Sequence, residues 1–407
     1  MPDDAPVVDI RLSGRGTHRC LLGHCWIWRS ELADASGLPH GGAVRVLDPR
    51  GVVVGHGLAS ARSQIAVRLL TRGDAPITDG LLRDRMDQAL TRRATDPNAA
   101  ERCAPGGNPC ERLIWSEGDI LPGLTADRYG RALVVQATTP GMDQRLGLIV
   151  DHLRARTGAT IVVERGDAPV REKEGLPLGV RMRVGEETAA RAHRVTADGL
   201  TWTVDLCAAH KTGMYLDQMA NQRAFARLMR PTWRVADVFC HVGGFGLRAA
   251  QRGAQVVGVD QSAEALAMAR QAAADAGLAE RTAWIAADAF AWLRQQPLAE
   301  SAQAFDAIIL DPPAFAPTRD AVPGALRGYR DLHAQALRRV RSGGLLATYT
   351  CSSHIDEAHL MPVIVQAAAQ QKRTLRLIER HGQPADHPIL PAVPETEYLR
   401  GWVLEVL

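Results

Sequence analysis

This 407-residue sequence predicts an α/β architecture in three parts, on three observations. Five apolar runs in the C-terminal half each lead into a helical segment, the first seventy or so residues alternate short apolar runs with turns, and a strand–helix–strand stretch lies between them. The length agrees, because one hydrophobic core rarely organises so long a chain.

Near the N-terminus, VVDIRL, AVRVLD, GVVVGHGLA and IAVRLL are separated by Gly, Pro and Asp, the pattern of a small β-rich domain. From Thr71 to Arg93 the period becomes helical, with Leu81, Leu82, Met86 and Leu90 on one face, and a loop rich in Ala, Pro, Gly and Asn follows from Thr95 to Pro109. A boundary near Arg72 results, giving a β-rich domain over 1–72 and a small central α/β domain over 73–195. The central domain contains ALVVQAT and TIVVERG as strands, joined by a helix from about Met142 to Arg156 that buries Leu146, Ile149, Val150 and Leu153.

After LTWTVDL, the third domain, 196–407, repeats a strand–turn–helix unit. VADVFCHVGGFG leads into LRAAQRG, AQVVGVD into SAEALAMARQAAADAG, TAWIAAD into AFAWLRQQ, AFDAIILDPP into a helix near Tyr329 to Val340, and LLATYTCSS into EAHLMPVIVQAAAQQ. Such repetition implies a mainly parallel, Rossmann-like sheet with helices on both faces, and ligands gather at the carboxyl ends of its strands.

Composition narrows the function classes. Apolar residues make up 46% and charged residues 23%, no apolar run is long enough to span a bilayer, and MPDDAPVVDIRLSG lacks the layout of a signal peptide; a cytoplasmic protein without membrane contact is expected. The net charge of +3 says little about partners, but Arg recurs at Arg11, Arg15 and Arg19, at Arg83, Arg85, Arg92 and Arg93, and at Arg338, Arg339 and Arg341. These stretches permit a nucleic-acid partner and equally read as solvated helix faces. Seven scattered cysteines without a CxxC pair do not describe a disulfide scaffold, and His18, Cys20, His24 and Cys25 lack a second ligand pair, so no metal is expected.

The segment from Asp237 to Gly246 ends a strand and opens a helix, and Gly243, Gly244 and Gly246 give a turn that backbone and ligand can approach closely, with Phe239 beside it. Asp260, followed by Gln261, ends the next strand, where a carboxylate can accept the ribose hydroxyls of a nucleoside cofactor; helix capping is the alternative, although Ser262 suits that role better. Asp288 ends the third strand, in position to meet an adenine. A nicotinamide site uses the same physics, but the spacing here is not GxGxxG.

Asp311 follows the apolar strand AIIL, and Pro312 and Pro313 forbid strand continuation, leaving a rigid strand-end carboxylate able to hydrogen-bond a base amine or a protonated ring nitrogen; a simple turn cap is the alternative. Cys351 closes the following strand. Isolated cysteines are mostly small buried hydrophobes, but this one falls at a strand end beside a polar turn, and apart from Cys240 in the glycine turn no other does. A thiolate adding at C6 of a pyrimidine makes C5 nucleophilic, so a cysteine, a carboxylate and a sulfonium methyl donor in one pocket suit methylation at C5.

At these residues the chain resembles the bacterial 23S ribosomal RNA cytosine-C5 methyltransferases that carry an N-terminal PUA domain. The matching stretches are SEGDILPGLTADRYG at Ser116 to Gly130, HKTGMYLDQMANQR at His210 to Arg223, the glycine turn, DPPAF with RGYRDLH at Arg327 to His333, TCS at Thr350 to Ser352, and HPILPAVPETEYLRG at His387 to Gly401. The resemblance implies a PUA domain binding structured RNA at 1–72, a class I methyltransferase domain using S-adenosyl-L-methionine, 23S ribosomal RNA as partner, and Cys351 with Asp311 as catalytic residues. A homodimer stays open. It also implies that Lys211, Thr212, Tyr215, Asp217 and Gln218 border the cofactor and substrate cleft, with Lys211, Pro312, Pro313 and Phe315 toward the base and Tyr215, Asp217 and Asp311 toward the cofactor. Ala314, Met219, His241 and Val242 depart from the family pattern and leave the target nucleotide open.

Other classes remain: methylation of a base nitrogen, for which the DPP segment and an aromatic suffice, or an RNA-binding ribosome-assembly factor that no longer methylates. A dehydrogenase trails behind both.

Overall fold

The computed structural model describes residues 7–97, 109–208, 213–316 and 318–407. The chain folds as two compact units: the first runs to Asp198 and includes Thr203–Leu216 and Ala385–Thr396, and the second comprises Gly199–Trp202, Asp217–Pro384 and Glu397–Leu407. Among the described residues no helix is long and apolar enough to cross a membrane.

The first unit holds two five-stranded sheets. β1 (Val8–Arg11), β2 (Trp26–Trp28), β3 (Ala43–Leu47), β4 (Val53–Ala59) and β5 (Ile65–Leu69) order as β1-β3-β4-β5-β2, and α1 (Gly14–Leu21) follows β1. Four of these strands are the expected apolar runs; β2 spans three residues, too few for a period to register. Ile10, Ile27, Val44, Val46 and Val67 fill the core together with Cys20 and Cys25, whose thiols burial pushes up to about 11 and about 12.

α2 (Asp79–Thr95) starts where the Thr78 hydroxyl accepts from Leu81 N, and it buries Leu82 and Met86. It sits on the second sheet, β6 (Cys110–Trp115), β7 (Leu124–Tyr129), β8 (Ala132–Ala137), β9 (Ile161–Gly166) and β10 (Gly179–Val184), ordered β10-β9-β8-β7-β6. Only β8 and β9 pair in parallel, through the crossover helix α3 (Leu146–Thr157), whose buried residues are the four expected ones. The helix begins four residues later than the pattern suggests because Arg145 breaks the helical dihedrals after a short turn at Pro140–Asp143.

Two buried arginines knit this unit. Arg93 forms a fork to both oxygens of Asp119 at 2.7 Å and donates to the carbonyls of Arg112 and Asp386, while Arg112 pairs with Asp127 through two 2.8 Å bonds and its N–H donates to Asp386 Oδ2. Together with Val393, which lies in the N-terminal core, these bonds hold Ala385–Thr396 in the first unit, whereas the sequence places that segment in the 196–407 domain. Several members of the Arg stretches are thus internal ties: Arg19 pairs with Glu31, Arg92 with Asp119, Arg339 is buried against the Gln335 and Arg294 carbonyls, and Arg341 pairs with Asp306.

β11 (His193–Ala197) and β12 (Leu200–Val204) lie where the chain changes unit. The second unit is built on β13 (Arg234–Val238), β14 (Gln255–Asp260), β15 (Thr282–Ala286), β16 (Phe305–Leu310), β17 (Val340–Thr350), β18 (Leu375–Gly382) and β19 (Arg400–Val406), ordered β15-β14-β13-β16-β17-β19-β18. The first five pair in parallel and β19 runs antiparallel to both its neighbours. All six residues of β16 are buried, as expected of a strand covered on both faces.

The helices that matter below are α4 (Met219–Arg227), α5 (Gly244–Gln251), α6 (Ala263–Asp275), α7 (Ala289–Gln295), α8 (Val322–Leu337) and α9 (Glu357–Gln370). Ser262, Asp288 and Asp356 cap α6, α7 and α9 through their side-chain oxygens. α8 begins seven residues before the expected start and ends at Leu337, because β17 already begins at Val340. β18 and β19 have no counterpart among the expected elements.

Replacing Arg93 with Met leaves the desolvated Asp119 carboxylate with only Arg92 and the Trp115 N–H to compensate it. Denaturant unfolding of the first unit is expected to show a loss of about 3 kcal/mol.

Candidate active site

Strand register sets the site. Val238 of β13 pairs with Val259 of β14 on one side and Leu310 of β16 on the other, and Leu310 pairs with Thr348 of β17. The next residues, Phe239, Asp260, Asp311 and Tyr349, therefore lie level across four adjacent strands. Strand order reverses at β13, so this level is the topological switch point where open parallel sheets bind ligands. Cys351 stands two residues beyond that level on β17's course.

The glycine turn is strained and braced. Phe239 (φ 66°), His241 (φ 49°) and Gly243 (φ 76°) are left-handed, an alternation that turns successive N–H groups inward; Phe239 N and Cys240 N both donate to Val259 O, and His241 N donates to Asp260 Oδ2 at 2.8 Å. The glycines serve packing as much as ligand approach: a Cβ on Gly243 would lie 2.4 Å from the Trp284 ring, one on Gly244 2.4 Å from Gln222, and one on Gly246 2.9 Å from Val256. Only glycine lets α5 press this close to the sheet.

Asp260 is half-buried, with one oxygen on His241 N and the other on Ser262 N at 2.9 Å, while Ser262 caps α6. Gln261 and Asp288 are exposed and joined at 3.2 Å, with the second oxygen of Asp288 capping α7. Asp311 receives the Gln218 amide at 3.0 Å, and Gln218 in turn accepts from Asn221 at 2.7 Å, so the N-terminus of α4 orients the strand-end carboxylate. Pro312 is buried and Pro313 exposed; Phe315 packs on Tyr329 with ring centroids 4.8 Å apart. Asp217 is buried and accepts from Tyr398 Oη at 2.6 Å, whereas Tyr215 belongs to the first unit and Lys211 and Thr212 lie outside the described residues.

The cysteines separate clearly. Cys20, Cys25, Cys110, Cys207 and Cys240 are buried, and Cys351 alone among the described ones is partly exposed. Cys240, the other candidate near the glycine turn, has its thiol pushed well above the ordinary value by burial and by the Asp237 and Asp260 carboxylates, which disfavours a thiolate there.

Residues 10–72 match the model of a PUA-like domain and residues 230–383 that of a methyltransferase domain. Ribosomal RNA large subunit methyltransferase I of Photobacterium profundum is 37% identical over 388 residues, covering 94% of this chain and 95% of that protein, and its Klebsiella pneumoniae counterpart is 34% identical over 399 residues, covering 97% of each. This chain belongs to the ribosomal RNA large subunit methyltransferase I family. A Streptococcus mutans protein assigned as SAM-dependent methyltransferase shares the fold at TM-score 0.80 and 17% identity, over 98% of this chain and all of that one. A second, SMU.776, solved as a complex with SAH, does so at 0.82 and 17%, with the same coverage.

As a member of this methyltransferase family the chain takes S-adenosyl-L-methionine as methyl donor, and the turn suits it. Asp237, at the end of β13, is 1% exposed; its Oδ2 accepts from Gly246 N at 2.8 Å and its Oδ1 is a buried acceptor without a hydrogen-bond partner. A buried acceptor and two further carboxylates, Asp260 and Asp311, around a backbone cradle favour a cationic ligand. The family pattern did not single out Asp237, although an acid just before the turn is visible in DVFCHVGG. Other missed supports are long-range: Trp202 Nε1 donates to Val242 O at 3.0 Å, and Arg248 bridges Gln222 and Gly244 O.

Burial raises the Asp237 carboxyl to about 7, with Asp311 and Asp260 adding to the rise. The folded protein thus holds a proton that the unfolded chain releases near pH 4, and stability from this group is lost as pH rises from about 4 to about 7. With the methyl donor absent, Asp237→Asn is expected to remove up to about 1.4 kcal/mol per pH unit of that slope in unfolding measured across the same window.

Proposed function

We propose that the protein methylates C5 of a cytosine in 23S ribosomal RNA, with Cys351 as the nucleophile. The observation that carries this reading is the placement of a partly exposed cysteine just beyond the Asp311 level at the switch-point edge, while the other described cysteines are buried. Bound S-adenosyl-L-methionine supplies an electrophilic methyl group on a sulfonium. The Cys351 thiolate adds to C6 of the base, which places nucleophilic electron density on C5; once C5 has taken the methyl, its proton leaves to a base and the thiolate is expelled as the C5–C6 double bond reforms.

Asp311, oriented by Gln218, accepts a hydrogen bond from the exocyclic amine or protonated ring nitrogen and stabilises the adduct. Pro312 and Pro313 keep the carboxylate at the strand end, and Phe315 offers an aromatic wall to the flipped base. Phe239, the glycine turn, Asp260, Gln261, Asp288 and Asp217 line the methyl-donor side. Lys211 and Tyr215 are read as bordering the substrate and cofactor, respectively. The RNA is taken by the PUA-like domain, read as residues 1–72, with 73–195 as a separate central domain. The relatives' names support the ribosomal substrate.

Cys351→Ala is expected to abolish 5-methylcytosine formation and covalent trapping on RNA containing 5-fluorocytidine while donor binding persists. Mass spectrometry of undermethylated 23S RNA incubated with enzyme and donor checks it; retained transfer to a base nitrogen would instead favour the nitrogen-methylating reading. Gln218→Ala removes one hydrogen bond that orients Asp311 and is expected to lower kcat roughly tenfold in the same assay.

A further inference from the structure

A chain of buried polar groups runs beneath Cys351. Tyr329, on α8, is fully buried and donates from its hydroxyl to Thr350 Oγ1 at 3.0 Å; Thr350, the last residue of β17, is also fully buried. The same Thr350 oxygen accepts from Ser352 N at 3.3 Å, and Ser352 Oγ donates to Ala316 O at 3.1 Å. The residues on either side of Cys351 are therefore tied to one phenol and to the segment after Asp311. The Tyr329 ring also braces Phe315.

One turn further along α8, His333 is completely buried, with Nδ1 2.6 Å from Tyr329 O and Nε2 2.8 Å from Thr348 Oγ1. Burial pushes its pKa down to about 4, so the ring is neutral, and since a carbonyl can only accept, the proton sits on Nδ1 and Nε2 accepts from the Thr348 hydroxyl. Thr348 and Thr350 stand two apart on the same face of β17. Two hydroxyls of one strand are thus latched to two side chains of one helix.

The Tyr329 phenol lies near the chemistry without a direct part in it. Burial above all raises its pKa to about 12, which keeps it protonated and a donor to Thr350, the residue next to Cys351. A Phe would fill the same apolar space, so packing alone does not require the hydroxyl. We propose that Tyr329 is a positioning residue: its hydrogen bond to Thr350 sets the turn that presents the Cys351 thiol to the base, and α8 thereby holds the nucleophile in register with Asp311 and Phe315. This rests on the reading of Cys351 as nucleophile.

The test uses the full-length protein and 23S RNA transcribed with 5-fluorocytidine for trapping, or with cytidine for turnover. Tyr329→Phe is expected to slow both adduct formation and kcat by roughly 10- to 100-fold, while KM for RNA and the dissociation constant for S-adenosyl-L-methionine stay within about twofold. Thr350→Ser, which keeps the hydroxyl, should retain the wild-type rate. Thr350→Val, which also removes the acceptor of Ser352 N, should be at least as slow as Tyr329→Phe, and the double variant should be no slower than Thr350→Val, because the Tyr329–Thr350 bond is already lost in it. A wild-type trapping rate in Tyr329→Phe, or losses in the two variants that multiply, would overturn the inference while leaving Cys351 in place. A wild-type protein that forms no adduct would overturn the Cys351 reading, and this inference with it.

Discussion

β13 is hydrogen-bonded on both edges, to β14 and to β16, and its register with them decides where every chemical group of the second unit can stand. Because parallel strands share a direction, their carboxyl ends emerge on one side, and fixed pairing brings Phe239, Asp260 and Asp311 to one level. The chain then leaves each strand by a different device: a left-handed turn after β13, a backbone-bound Asp and capped helix after β14, and two prolines after β16. Slipping one strand by a residue would turn its side chains to the opposite face and dissolve the arrangement.

Gathering three carboxylates at that edge has an electrostatic cost, and the protein offsets it with neutral donors. Backbone N–H groups serve Asp237 and Asp260, and the Gln218 amide serves Asp311. The first unit uses charge differently, with Arg93 and Arg112 matching Asp119 and Asp127 in buried forks that serve folding.

Much of this was legible. The five βα units, the strand-end positions of Asp260, Asp288 and Asp311, and the four core positions of α3 follow from periodicity and from turn residues, which are local signals. The short strand β2, the pair β18 and β19, and the early start of α8 were not, since three residues carry no period and edge strands such as β18 present mixed, half-exposed faces. The Arg stretches illustrate the same limit: composition allowed a nucleic-acid face, but Arg93 and Arg339 are spent on buried carbonyls and carboxylates.

Alone, the sequence determined the fold class and the glycine turn, because each is written in contiguous residues whose conformational preferences are intrinsic; the pair proposed for the chemistry, Asp311 and Cys351, came from strand-end position together with the family resemblance. Only the tertiary structure decided that Asp237 is a buried carboxyl whose pKa burial raises, that Cys240 is sealed while Cys351 is partly open, that Gln218 contacts Asp311, and that Tyr329 reaches Thr350. It also decided that Ala385–Thr396 returns to the first unit. These are contacts between residues up to some 290 positions apart, as from Arg93 to Asp386, and burial and hydrogen bonding at such separations depend on strand order and packing, which no local pattern encodes.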